Sequence, residues 1–88
     1  MDLWTAIADP ARADARMLDR AQGVLIALRR CTVDTAFEQI GRASKRHRVP
    51  RLRIAAALVA LAQDSPFDDD ATVAARYEWG SLLEEVRR

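Results

Sequence analysis

The chain has 88 residues, half of them apolar, and a formal charge of +1, which is the size of one domain with a modest core. Such a chain hides only about 60–65% of its unfolded surface, so pairing with a second copy is a ready source of extra burial. One cysteine, Cys31, excludes an internal disulfide, and with His47 as the only histidine no zinc cluster can be assembled.

Alanine and leucine supply much of the apolar fraction, while β-branched and aromatic residues are sparse, so the composition favours helix over strand. The longest apolar run, Ile54 to Ala62, is nine residues, well short of the ~20 that a membrane span requires. Asp2 and Asp9 break the basic-then-apolar order of a signal peptide. These features lead to the expectation of a cytoplasmic all-α protein. Cys31 and His47 come with no other part of an active site, so no enzyme activity, catalytic residue, metal or cofactor is expected.

Residues 1–9 read as a short N-terminal arm. Asp9-Pro10 then supplies a helix cap and a proline at the first helical position, where its missing N–H costs nothing. The first helix should run over about 10–30, roughly 30 Å. Leu18, Ala21, Leu25 and Leu28 follow the 3-4-3 spacing of a coiled-coil seam, with Met17 and Val24 widening it. Gly23 lies within this helix, where it costs about 1 kcal/mol relative to alanine, and its small size predicts close approach of another helix. This face is the expected seam between two copies, helped by part of the third helix.

Thr32 is the next cap, with Asp34 in the first turn, and predicts a helix over about 33–45. Ala36, Phe37, Ile40, Ala43 and Ser44 share one of its faces. His47-Arg48-Val49-Pro50 is a turn, because the residue before proline avoids helical geometry. A third helix starts near Pro50 and ends near Ala62. It is apolar all round from Ile54 onward, so two neighbours cannot cover it. Either a fourth helix or a partner chain must. Residues 63–70 form an acidic linker, in which Asp69 or Asp70 can cap a fourth helix over about 71–87, within a C-terminal segment 71–88. Val73, Tyr77, Leu83 and Val86 are its expected inner face, widened by Trp79 and Leu82. Residues 10–62 thus form a three-helix domain, followed by linker and fourth helix.

Charge is unevenly spread. Residues 1–41 carry −1, residues 42–62 carry +6 with no acid, and residues 63–88 carry −4. The positive block is RASKRHRVPRLR, residues 42–53, with Arg42, Lys45, Arg46, Arg48, Arg51 and Arg53 across a helix end, a turn and a helix start. Arg51 and Arg53 oppose the dipole of the third helix, a placement that a bound anion would favour. A competing reading is that Lys45, Arg46 and Arg48 favour the carbonyl end of the second helix and that the block pairs with the acidic tail. A third helix that is apolar after Arg53 cannot lie in a DNA groove as a recognition helix. The turn and the second helix suit RNA loops better, where unstacked bases lie on guanidinium planes. Aromatic platforms are not expected at this edge. Asp68, Asp69 and Asp70 read as caps and solvated charge.

The segment LDRAQGVLIALRRCTVDTAFEQIGRASKRHRVPRLRIAAALV, residues 18–59, resembles the ANTAR domain of bacterial transcription antitermination regulators. Ala21, Gly23, Val24, Leu25, Cys31, Thr32, Ala36, Phe37, Arg42, Ala43, Ser44, Arg46, Leu52 and Ala55 stand at matching places. The departures are Gln22 for the usual Lys, Ile26 for Met, and Val49-Pro50 where the family more often carries Asn and a polar or basic residue. The resemblance implies a three-helix module that binds paired stem-loops of leader RNA as a dimer. Such binding stabilises an antiterminator over a terminator. Family members usually carry a sensor domain ahead of the module. Only 17 residues precede the resemblance here, so a stand-alone protein is expected, with any signal coming from a partner protein or from dimerisation. Arg42, Lys45, Arg46, Arg48, Arg51 and Arg53 are the expected RNA contacts, with Arg29 and Arg30 outlying. The alternative is a protein-interaction module acting on a sensor-bearing regulator.

Overall fold

The computed structural model describes residues 10–87, and the expected N-terminal arm, residues 1–9, lies outside them. Four helices follow in order: α1 (Pro10–Arg29), α2 (Val33–His47), α3 (Arg51–Ala62) and α4 (Asp70–Arg87). The described residues form no strands, and the fold is all-α.

Local chemistry sets the boundaries. Thr32, extended at φ −79° and ψ 164°, accepts at Oγ1 from the Thr35 N–H at 3.1 Å, which satisfies one of the free N–H groups at the start of α2. Asp69 does the same for α4, its Oδ1 accepting from the Thr72 N–H at 2.9 Å and the Thr72 hydroxyl at 2.8 Å. This bonding by Thr72, and secondarily the nearby Arg53, holds the Asp69 carboxyl below its ordinary value of 3.8. The chain leaves α1, α2 and α3 through left-handed residues that are not glycine: Arg30 (φ 51°), Arg48 (φ 55°) and Asp64 (φ 59°). At Arg48 this turns the chain so that the Val49 N–H bonds the Ser44 carbonyl at 3.1 Å, while the Ser44 hydroxyl donates to the Val49 carbonyl at 2.6 Å. Val49 is thereby tucked into the core, and Pro50, at φ −53° and ψ 142°, opens α3. α2 runs two residues beyond the expected Lys45, to His47.

α3 is the central helix. Ile54, Ala55, Ala57, Leu58, Ala60 and Leu61 are buried on it, and α1, α2 and α4 all pack against it. The cover that its apolar circumference requires therefore comes from α4 of the same chain. Ala21 and Leu25 of α1 are fully buried in this core, with Leu18 and Leu28 half-buried against it. At Ala21 and Leu25 the predicted seam is thus turned inward onto the chain's own core. Gly23 faces away from the chain's own helices. It is exposed, and a Cβ placed there would meet nothing within 4 Å. Among the described residues no helix approaches it, so the close approach expected of its small size would have to come from a second copy.

The inner face of α4 corrects the sequence reading. Val73, Tyr77 and Val86 are exposed, and the buried face is Ala71, Thr72, Ala74, Ala75, Trp79 and Leu83. The steps of four from Ala71 through Ala75 and Trp79 to Leu83 make a helical stripe. Its small residues are buried where α4 packs on the alanine-rich α3, and the bulkier Val73 and Tyr77 are turned to solvent. Arg87 ties the far ends together, donating to the Leu61 carbonyl at 2.6 Å. Gln22 is buried and donates to the Val33 carbonyl at 3.4 Å, so it serves the start of α2. Among the described residues no helix is long and apolar enough to cross a membrane.

Candidate nucleic-acid interface

The basic edge follows from the register of α2. Ala36, Ile40 and Ala43 face the core. At about 100° per residue, Lys45 then points directly away from the core. Arg42 and Arg46 fall on one flank, and Phe37 and Gly41 on the other. Arg51, from the first turn of α3, reaches back over this second flank: its guanidinium lies 4.8 Å from the Phe37 ring centre and within 3.3 Å of where a Gly41 Cβ would stand. Phe37 is therefore a partly exposed edge residue beneath a cation and not part of the buried face predicted for it. Arg42, Lys45, Arg46, Arg48 and Arg51 are all exposed. Together they wrap the solvent side of α2 and the turn that follows.

Arg53 stands apart from the other five. It pairs with Asp70 and, at 3.6 Å, with Asp69 at the start of α4. Hydrogen bonding and charge from Asp70, then from Asp69, raise its pKa. The acids of α4 therefore supply the negative charge that the start of α3 lacks, so at Arg53 no bound anion is required. Arg46 is also engaged, donating to both carboxylate oxygens of Glu78 at 2.8 and 3.0 Å. His47 Nε2 lies 3.2 Å from the same Oε1. Arg42 makes only a loose, exposed contact with Glu38 at 3.8 Å, of a kind worth little. The tail-pairing reading thus accounts for Arg46 and Arg53. Among the described residues no ion pair accounts for Lys45, Arg48 or Arg51. Arg30 lies exposed at the end of α1, while Arg29 joins a cleft described next.

Three groups escaped the sequence reading. Tyr77, placed there on an inner face, is 75% exposed and meets His47 edge-on, ring centres 5.3 Å apart. With Phe37 it gives this edge aromatic surface, contrary to expectation. Gln39 and Glu78 join Arg29, Arg42, Arg46 and Trp79 around a cleft of about 190 Å³ between α2, α4 and the end of α1. The Gln39 Oε1 is itself shut off from solvent, without a hydrogen-bond partner among the described residues. Nothing in the spacing of Gln39 or Glu78 marks them, because the cleft forms only when α4 folds back. A larger groove of about 590 Å³ lies on another face of α4, lined by Leu61, Asp64, Arg76, Gly80 and Arg87, and holds none of the predicted contacts. Cys31 donates weakly to the Leu25 carbonyl at 3.7 Å, whereas His47 is held by Glu78 and Tyr77. Among the described residues no group of three His, Cys, Asp or Glu side chains is placed to hold a metal ion.

The fold and site define a small helical bundle that displays a clustered cationic helix end and turn. The chain belongs to the ANTAR domain family, whose model matches residues 9–59. That family is a regulatory RNA-binding one, associated with transcription antitermination. Comparison with curated proteins and with solved structures gives no match. The family match ends within α3, so α4 and its contacts to the basic edge lie beyond it.

Proposed function

We propose that this protein is an RNA-binding transcription antitermination regulator that stabilises a stem-loop antiterminator in leader RNA. The observation that carries the reading is the band of exposed cations, Arg42, Lys45, Arg48 and Arg51 with Arg46 beside them, around the solvent side of α2. In a family of RNA-binding regulators such a band is where phosphates are met. Phe37 and Tyr77 add faces on which loop bases stack. The mechanism is a population shift: RNA held in one fold is withheld from the terminator fold. A homodimer is part of this reading, with the solvent side of α1 as the contact.

The test is titration of a leader RNA carrying two adjacent short stem-loops against a scrambled RNA, over a salt series. The double variant Lys45→Ala/Arg48→Ala should weaken binding to the leader RNA at least tenfold with an unchanged circular dichroism spectrum. Equal binding of leader and scrambled RNA, or a double variant that binds like the parent, would overturn the reading. Light scattering on the free protein tests the dimer.

The ion pairs from α4 favour a second reading, a protein-interaction module that modulates a sensor-bearing regulator and holds its own cations in check. Glu78→Gln separates the two. A neutral amide should leave affinity for RNA nearly unchanged in a module that does not use RNA, and should raise it severalfold where Glu78 competes with phosphate for Arg46.

A further inference from the structure

Arg51 is placed unlike the other cations of the edge. It comes from the first turn of α3, yet its head lies on the flank of α2. Its Cζ stands over the Phe37 ring, 4.8 Å from the centre, a cation–π contact. One turn further along α2, the missing side chain of Gly41 leaves room for the same head. A Cβ there would have as its three nearest neighbours Nη2, Nε and Cζ of Arg51, at 3.3, 3.8 and 3.9 Å. Phe37 and Gly41, four residues apart, share a face and make a seat for one guanidinium. Arg51 is exposed nonetheless and, among the described residues, has no carboxylate partner. The ring covers its head from one side, so the exposed surface lies on the other.

A cation that only neutralises phosphate needs no such seat, and Lys45 and Arg48 are displayed without one. Holding the guanidinium in place beforehand removes the ordering cost that a free arginine meets on binding. Beyond charge, a held guanidinium offers a planar surface on which rings stack. We propose that Arg51, seated on Phe37 by the gap at Gly41, is a stacking platform for one unpaired RNA loop base. The base lies on the guanidinium, and Phe37 supports it from beneath. Gly41 is a positioning residue, acting through Arg51. Stacking of this kind accepts any base, because every base has a π face. The inference rests on the RNA-binding reading and assigns one contact within it.

The experiment compares two hairpins with the same stem and the same loop phosphates, one with a loop of adenines and the other with abasic loop residues. The full chain should bind the adenine loop roughly five- to tenfold more tightly, the lower end of what stacking one base contributes. Arg51→Lys keeps the charge and removes the planar head. It should bring the two hairpins to within about twofold of each other and leave the salt slope unchanged. Gly41→Leu fills the seat and should narrow the preference in the same way. Its melting temperature should not fall, because leucine is the better helix former. An adenine preference that survives both variants, as expected of a contact that only fastens α3 to α2, overturns the platform. Equal binding of the two hairpins by the parent chain also overturns it and leaves the RNA reading intact. Failure to bind either hairpin overturns the RNA reading itself.

Discussion

Arg48 carries a conflict between folding and display. Its left-handed backbone costs a non-glycine residue about 1–2 kcal/mol, and glycine is the usual residue at such a helix end. Arg48→Gly should therefore raise stability by about 0.5–1 kcal/mol in urea denaturation, part of the relief being lost to the freer unfolded chain. The same variant should bind leader RNA severalfold more weakly. Unchanged affinity would remove Arg48 from the interface. Asp69 is a residue of the opposite kind, whose charge serves folding. Its carboxyl is held below the ordinary value, so its stabilising contribution is complete well above 3.8 and is lost as the pH falls through the lower, folded-state value. In an acid titration followed by circular dichroism, Asp69→Asn should flatten the loss of helix in that window, because asparagine still caps but does not titrate. An identical acid limb in both proteins would show that the titration belongs to other carboxylates. The Thr32 cap is simpler, and Thr32→Ala should cost about 1 kcal/mol in thermal or chemical unfolding.

Among the elements, α1 yields the clearest prediction. The Gly23 position is open, so Gly23→Ala should gain about 1 kcal/mol of helix propensity. A substitution that instead lowers both stability and light-scattering mass would place a second copy against Gly23. The limits of α2, α3 and α4 were legible because each rests on nearby chemistry: Thr32, Val49-Pro50 and Asp69 all speak for themselves in sequence. The face of α4 was not. A rule that turns the largest apolar residues inward selects Val73 and Tyr77, but the alanine-rich α3 accepts a neighbour whose own contact stripe is small, Ala71 and Ala75. Which face is buried was decided by the partner helix, and that information is not local. Nor does a small residue such as Gly23 say whether its own chain or a second copy approaches it.

For the molecule as a whole, the division of charge into −1, +6 and −4 becomes a spatial arrangement in which α4 neutralises part of the basic edge. If five cations meet phosphates, log affinity for RNA should fall with log salt at a slope of about −3 to −4. A slope near −1 would mean that the band is mostly solvated. The six cations were legible as a cluster, but their division was not. Arg46 and Arg53 meet acids 32 and 17 residues away, and only the return of α4 beside α2 and α3 decides which cations are engaged. The cleft was hidden for the same reason, since its walls come from three helices.

The reliance of α3 on α4 has a practical side. The family match stops at residue 59, whereas Trp79 and Leu83 cover α3 from the far end of the chain. A recombinant fragment trimmed to the match would lose the last turn of α3 and bare Leu58 to solvent. Such a fragment would stick to itself through a surface that the intact chain keeps closed, and its scattering mass would counterfeit a natural dimer. Boundaries for expression, and any claim of oligomeric state made from them, should therefore extend at least to Arg87.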